Sequence, residues 1–222
     1  MEYRLADYRH GLAVAELPHL KPDLVEFLSV IKNISEEDII QKFNQGQDEA
    51  KVAGKKFAKS ASDAINKLID ERLQAKAWQA QSAIFGDKKF KKMGWALDFA
   101  KLNGDKGTYS VEIVFNNAGS LGWNLIKLVL ACERNHVEKA IETEIGIIVL
   151  ATKDMESAGG FDGNAIATFE NAQLSLKAMQ TILTSTPIII VGLEPMKTFK
   201  IEQYSHTYPD GRKKMIGKVV RL

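Results

Sequence analysis

Residues 95–116 read WALDFAKLNGDKGTYSVEIVFN, two apolar segments joined by a polar turn. Trp95–Lys101 and Thr108–Asn116 read as strands, the second strongly β-prone with Val, Ile and Phe. Asn103-Gly104 supplies turn residues that tolerate positive φ. Each strand carries one acid in apolar surroundings, Asp98 within ALDFA and Glu112 within SVEIVF. By alternation, Glu112 and Val114 point to one face, and Ile113 and Phe115 to the other. Inward-facing acids are costly unless they are paired or bind a cation. Two carboxylates brought close raise one another's pKa, and a divalent ion between them removes that penalty. Mg²⁺ takes one or two carboxylates, a carbonyl and substrate phosphate oxygens. Asp98, Glu112 and the backbone carbonyl of Ile113 are therefore a candidate Mg²⁺ site. The same two acids would also fit the solvent face of an edge hairpin, where such pairs are common.

Working outward, the hairpin sits between helices and buried strands. Downstream, Ser120–Asn135 reads as a helix with an apolar stripe, Glu144–Thr152 as a buried strand, Ala165–Leu183 as a helix and Pro187–Leu193 as another buried strand. A Gly-rich loop, Glu156–Asn164, lies between, and Phe199–Val220 reads as a hairpin turning at Pro209-Asp210-Gly211. Upstream, Lys21–Lys32 carries Leu24, Phe27, Leu28 and Ile31 on one helical stripe. Ser35 and Asp38 open a second, short helix with an N-cap and an early acid. Glu49–Trp78 reads as one long helix or two broken near Gly54, with Lys55, Lys56 and Lys59 on a solvated face. Gly86–Lys92 is a basic loop. Continuous apolar strands separated by helices imply crossovers, and so an α/β fold with a mixed central β-sheet flanked by helices and a helical N-terminal part. With no repeat or low-complexity linker, residues 1–222 are expected to form a single domain, mainly helical over 1–82.

Thirty basic and 28 acidic side chains give a formal charge of +2, which excludes a polybasic tail protein but not a DNA-binding enzyme. One cysteine, Cys132, excludes a disulfide framework and a zinc site built from thiolates. The charged opening MEYRLADYRH is no secretory signal, and PIIIVGL is too short to span a bilayer, so a soluble, cytoplasmic protein without membrane contact is expected. There is no G-x-S-x-G, Walker loop or G-x-G-x-x-G. The histidines at 10, 19, 136 and 206 form no ligand cluster, and only His206 lies beside a basic loop.

The ordered set Asp98-Phe-Ala-Lys101, Val111-Glu-Ile-Val-Phe-Asn-Asn117, IIVLATKDM (147–155), FENAQ (169–173), PIIIVGL and TYPDGR (207–212) resembles type II restriction endonucleases of the BglII/BstYI/BamHI-like group, within the PD-(D/E)XK nucleases. The resemblance covers residues 90–215 in order. It implies a restriction-endonuclease-like core over 83–222, a homodimer, and Mg²⁺-dependent cutting of both strands of a short DNA palindrome to leave 5′-phosphates. Asp98 and Glu112 would hold the metal. One position departs from the pattern: two residues after the glutamate the group carries Lys, Glu or Gln, and here stands Val114. Either a polar group arrives from elsewhere, with Lys101 and Lys127 as candidates, or the register differs locally, or catalysis is impaired and the chain binds double-stranded DNA without cutting it.

Expected DNA contacts lie beside the acids. Asn116 and Asn117 end the catalytic strand, and Asn164 precedes a helix. Lys88, Lys89, Lys91 and Lys92 suit backbone phosphates. Tyr208, Asp210, Arg212, Lys213 and Lys214 form a basic hairpin tip. The apolar face of Ser120–Glu133, with Trp123, Leu125 and Leu128, is a candidate two-fold surface, although core packing is the expected use of most of those residues.

Overall fold

The computed structural model describes residues 1–222 except 104–105, 116–117, 134–136, 162–165, 182–185 and 209–210. Its centre is a six-stranded mixed sheet in the order β1-β6-β5-β4-β3-β2. The strands are β1 (Tyr3–Tyr8), β2 (Gln79–Ala83), β3 (Ala96–Asn103), β4 (Lys106–Val114), β5 (Ile145–Ala151) and β6 (Ile188–Leu193). β4, β5 and β6 run parallel, while β1, β3 and β2 pair antiparallel to their neighbours. Every residue of β5 and β6 is buried, because helices cover both faces.

On one face lie α2 (Lys21–Lys32), α3 (Glu36–Val52) and α4 (Ser62–Gln74). Phe27, Ile31, Ile39, Phe43, Ile65 and Ile69 pack there against Val111, Ile147, Val149 and Val191. On the other lie α6 (Leu121–Cys132) and α8 (Phe169–Ala178). Leu125, Leu128 and Leu176 join Val114, Ile148, Leu150 and Ile190 in a second apolar cluster. α8 can approach β6 closely because position 192 is glycine; a Cβ there would lie 2.5 Å from the Phe169 ring. Three shorter helices, α1 (Gly11–Val14), α5 (Lys88–Lys92) and α7 (Lys153–Ala158), join these elements. The hairpin of β7 (Phe199–Thr207) and β8 (Lys213–Arg221) forms a separate two-stranded sheet.

Several expectations are sharpened. The Lys21–Lys32 helix forms with those bounds. Ser35 and Asp38 make a reciprocal capping box, but the helix they open is not short and runs 17 residues to Val52. The break near Gly54 is real, with φ +62°, and the next helix starts only at Ser62. The basic loop is helical at α5, where Asp87 accepts from the Lys89 N–H. The Gly-rich loop begins later, since Thr152 caps α7 through Ala158. Residues 1–83 also supply both edge strands of the sheet, which sequence reading missed.

Candidate active site

The two acids meet at the carboxyl end of the parallel strands, the usual position for a ligand in an open α/β sheet. The β3–β4 register pairs Phe99 with Val111 and Ala100 with Ser110, which sets Asp98 opposite Glu112 one step further on. There the backbone ladder gives way to side chains. Asp98 Oδ2 accepts the Ile113 N–H at 2.8 Å. In an extended strand a residue's N–H and C=O point to the same side, so the Ile113 carbonyl turns toward Asp98 as well. Val114 packs with α6, while Ile113 and Phe115 pack against the N-terminal helices, as the alternation required.

Glu112 is only 1% exposed. Its Oε2 meets the Lys127 ammonium at 2.6 Å, whereas Oε1 is buried without a hydrogen-bond partner among the described residues. Lys127 reaches across from α6 and also donates to the Ala96 carbonyl at 3.1 Å. Burial, and then the charge of Asp98, push the Glu112 carboxyl up to about 8, against the pull of Lys127. Burial likewise raises Asp98, and Asp70 on α4 adds to the rise, while the Ile113 N–H and Lys127 oppose it. Asp70 is a group sequence reading did not single out. Its only signal is its place on the helix that packs beside the hairpin.

An orphaned carboxylate oxygen beside a second, half-buried acid suits a divalent cation. The described residues contain no group of three or more Asp, Glu, His or Cys able to hold a metal by themselves. Such a site would need carbonyl, water or substrate oxygens to complete it.

The other candidates scatter. Lys101 is not at the acids; it pairs with Glu26 at 2.8 Å and donates to the Lys76 carbonyl. Lys88, Lys89 and Lys91 lie on α5, just before β3, and Lys89 is bridged to Asp87 at 2.8 Å. Tyr208 uses its hydroxyl to accept the Phe57 N–H at 3.0 Å and stacks on that ring. His206 packs edge-on against both rings. Arg212 and Lys213 are exposed at the hairpin end. Asn116, Asn117, Asn164 and Asp210 lie outside the described residues. Leu125 and Leu128 are fully buried in the core, which removes them from any partner surface; Trp123 remains 41% exposed, against Trp95.

A cleft of about 700 Å³ opens between α3, α4, the 53–61 segment and the hairpin. Lys56, Lys59, Lys67, Lys214, Phe57 and Tyr208 line it. Lys56 and Lys59, expected only as a solvated face, thus border a concave basic surface. α4 links it to the acids, since Lys67 lines the cleft and Asp70 acts on Asp98.

A buried acid beside a half-buried one at the carboxyl end of the parallel strands, with a lysine in contact and a basic cleft joined to it through α4, suits an enzyme that cleaves phosphodiesters. Residues 3–193 match the family described as restriction endonuclease BglII/BglIII, and the chain belongs to that family: it is a type II restriction endonuclease. No curated protein sequence matches it. Solved structures it resembles include restriction endonuclease BglII complexed with a DNA 16-mer, at 20% identity and TM-score 0.58. Free BglII matches at 17% identity and TM-score 0.50, and both matches cover 100% of either chain. At such identities the likeness concerns the fold, which is the expected mixed sheet flanked by helices.

Proposed function

We propose that this endonuclease cuts both strands of duplex DNA at a short palindrome, with Mg²⁺, leaving 5′-phosphates, as a homodimer in the cytoplasm. The whole chain is read as one nuclease domain. One observation carries the metal reading: Glu112 Oε1 is buried and unpartnered beside Asp98. Asp98, Glu112 and the Ile113 carbonyl would hold the ion. Bound there, Mg²⁺ would polarise the scissile phosphate, acidify an attacking water and stabilise the leaving oxygen. The chain's own part is orientation. The Ile113 N–H fixes Asp98, and Lys127 fixes Glu112. The apolar cluster under α6 excludes water from behind both acids. Lys88, Lys91, Arg212 and Lys213, with the cleft lysines Lys56 and Lys67, supply charge for backbone phosphates. Asn116, Asn117, Asn164 and Asp210 keep the roles in base or phosphate contact expected of them, and Tyr208 holds the cleft wall. The exposed Trp123, backed by half-buried Trp95, is the apolar part of the two-fold surface.

Val114 favours a second reading, a DNA-binding homologue that does not cut. Incubation with plasmid and Mg²⁺, with an EDTA control and end-mapping of products, decides between them. Discrete fragments support cutting, and a sequence-specific gel shift without fragments supports the binder. Asp98→Asn and Glu112→Gln should abolish cutting while DNA affinity and fold persist; full activity in either removes the site.

A further inference from the structure

Val114 occupies the position where the resemblance leads one to expect a polar third residue. It is fully buried in the apolar cluster shared with Leu125, Leu128 and Leu150. A cation or amide at 114 would have to be desolvated there, at considerable cost. Glu112 and Val114 share the face covered by α6, and α6 places a lysine on that same face. Leu121–Cys132 reads LGWNLIKLVLAC, and Lys127 is its lone charge. The side chain is 9% exposed. A lysine is almost never buried unless it is paired. Lys127 is paired with both strands of the acid hairpin, through Glu112 Oε2 on β4 and the Ala96 carbonyl on β3. Those contacts use two of its three N–H donors. The lysine therefore stands within the acid site, not on the helix surface.

We propose that Lys127 is the third functional residue of this site, delivered by α6 in place of the strand position at Val114. Its ammonium holds Glu112 so that Oε1 faces the metal position, and its remaining N–H bonds a non-bridging oxygen of the scissile phosphate. The inference rests on the nuclease reading above. The lysine acts as a fixed charge, and no proton leaves it. Without metal it is the counter-ion of two acids that would otherwise repel one another. With metal, two cations share Glu112, so the lysine weakens divalent binding in the free enzyme while it stabilises negative charge on phosphate.

Lys127→Met and Lys127→Arg in the full chain test this through two readouts. Calorimetric titration with Ca²⁺, without DNA, should give Lys127→Met about tenfold tighter binding than wild type, because a like charge has gone. With Mg²⁺ and plasmid, Lys127→Met should cut at least about 100-fold more slowly with KM within about threefold, the signature of an interaction made in the transition state. Lys127→Arg should recover at least about a tenth of the rate, since it keeps the charge and the donors. Should Lys127→Met fail to fold, Lys127→Gln keeps a donor without the charge and is read in its place. Unchanged Ca²⁺ affinity together with an undiminished cutting rate overturns the proposal. Wild-type cutting that Asp98→Asn abolishes but Lys127→Met spares overturns this proposal alone. A wild-type chain that cuts nothing removes the nuclease reading and this one with it.

Discussion

Divalent binding to this protein should depend steeply on pH, and the slope follows from the burial of the acids. Glu112 titrates at about 8 because it is desolvated and faces Asp98. A cation that uses Oε1 must displace that proton, so binding releases one proton below the pKa. Well below 8 each pH unit then weakens apparent affinity tenfold, about 1.4 kcal/mol. Between pH 8, where half of the carboxyl is already ionised, and pH 6 the loss is about 50-fold, or about 2.3 kcal/mol. At lower pH the raised Asp98 carboxyl adds its own proton and steepens the slope. Stability without metal runs the other way. A carboxyl whose folded pKa lies above its unfolded value contributes stability that is complete below about 4.5 and is lost as pH rises toward 8. The groups held low, such as Glu36 and Asp38, contribute stability that is already complete above their unfolded values and so do not tilt this window. Calorimetric titration with Ca²⁺ from pH 5.5 to 8.5, paired with melting in EDTA, measures both. Affinity that changes less than about threefold from pH 6 to 8, or a slope that survives Glu112→Gln, would refute the coupling between these acids and the metal.

Three further outcomes are expected. Lys101→Met leaves Glu26 without its ammonium, so it should lower stability by about 1–2 kcal/mol in denaturant titration yet keep cleavage within about threefold, because Lys101 lies away from the acids. Val114→Ala should cost about 1–3 kcal/mol through a cavity under α6 with little change in cutting rate; complete loss of cutting in a folded variant would give Val114 a role it is not assigned here. Gly192→Ala drives a methyl into the Phe169 ring, so α8 must shift and stability should fall by about 1–3 kcal/mol; an unchanged Tm would contradict the packing described.

The sequence exposes those parts of the fold that side chains determine. β5 and β6 are legible because strands covered on both faces must be apolar throughout. α2 is legible because one stripe of Leu24, Phe27 and Ile31 faces the sheet. The edge strands are held differently. β1, YRLADY, is half polar because only one of its neighbours, β6, is a strand. β2, QAQSA, has no β-branched residue, and the positive φ of Gln81 interrupts it. Backbone pairing holds both, and composition does not report backbone pairing. The start of α4 was hidden for a related reason. Phe57 and Ala58, inside the stretch that reads as helix, bond instead to Tyr208, Gln47 and Gly217 around the hairpin.

At the site, Asp98 and Glu112 stood out because a carboxylate in a β-prone apolar run is costly. Choosing between Lys101 and Lys127 required knowing which end of the hairpin each approaches, and that depends on register and helix placement. Yet the same cost argument applies to both strands and helix. A charge that survives in an apolar element, whether Glu112 in SVEIVF or Lys127 in LGWNLIKLVLAC, must be compensated by something opposite it. The two lie opposite one another, at 2.6 Å. One lysine cannot neutralise two acids, and the excess negative charge falls on Glu112 Oε1 and Asp98, at the open end of the sheet. That leaves the metal-free site short of one positive charge where a cation could enter, a shortfall that divalent metal would fill and that protons fill in its absence.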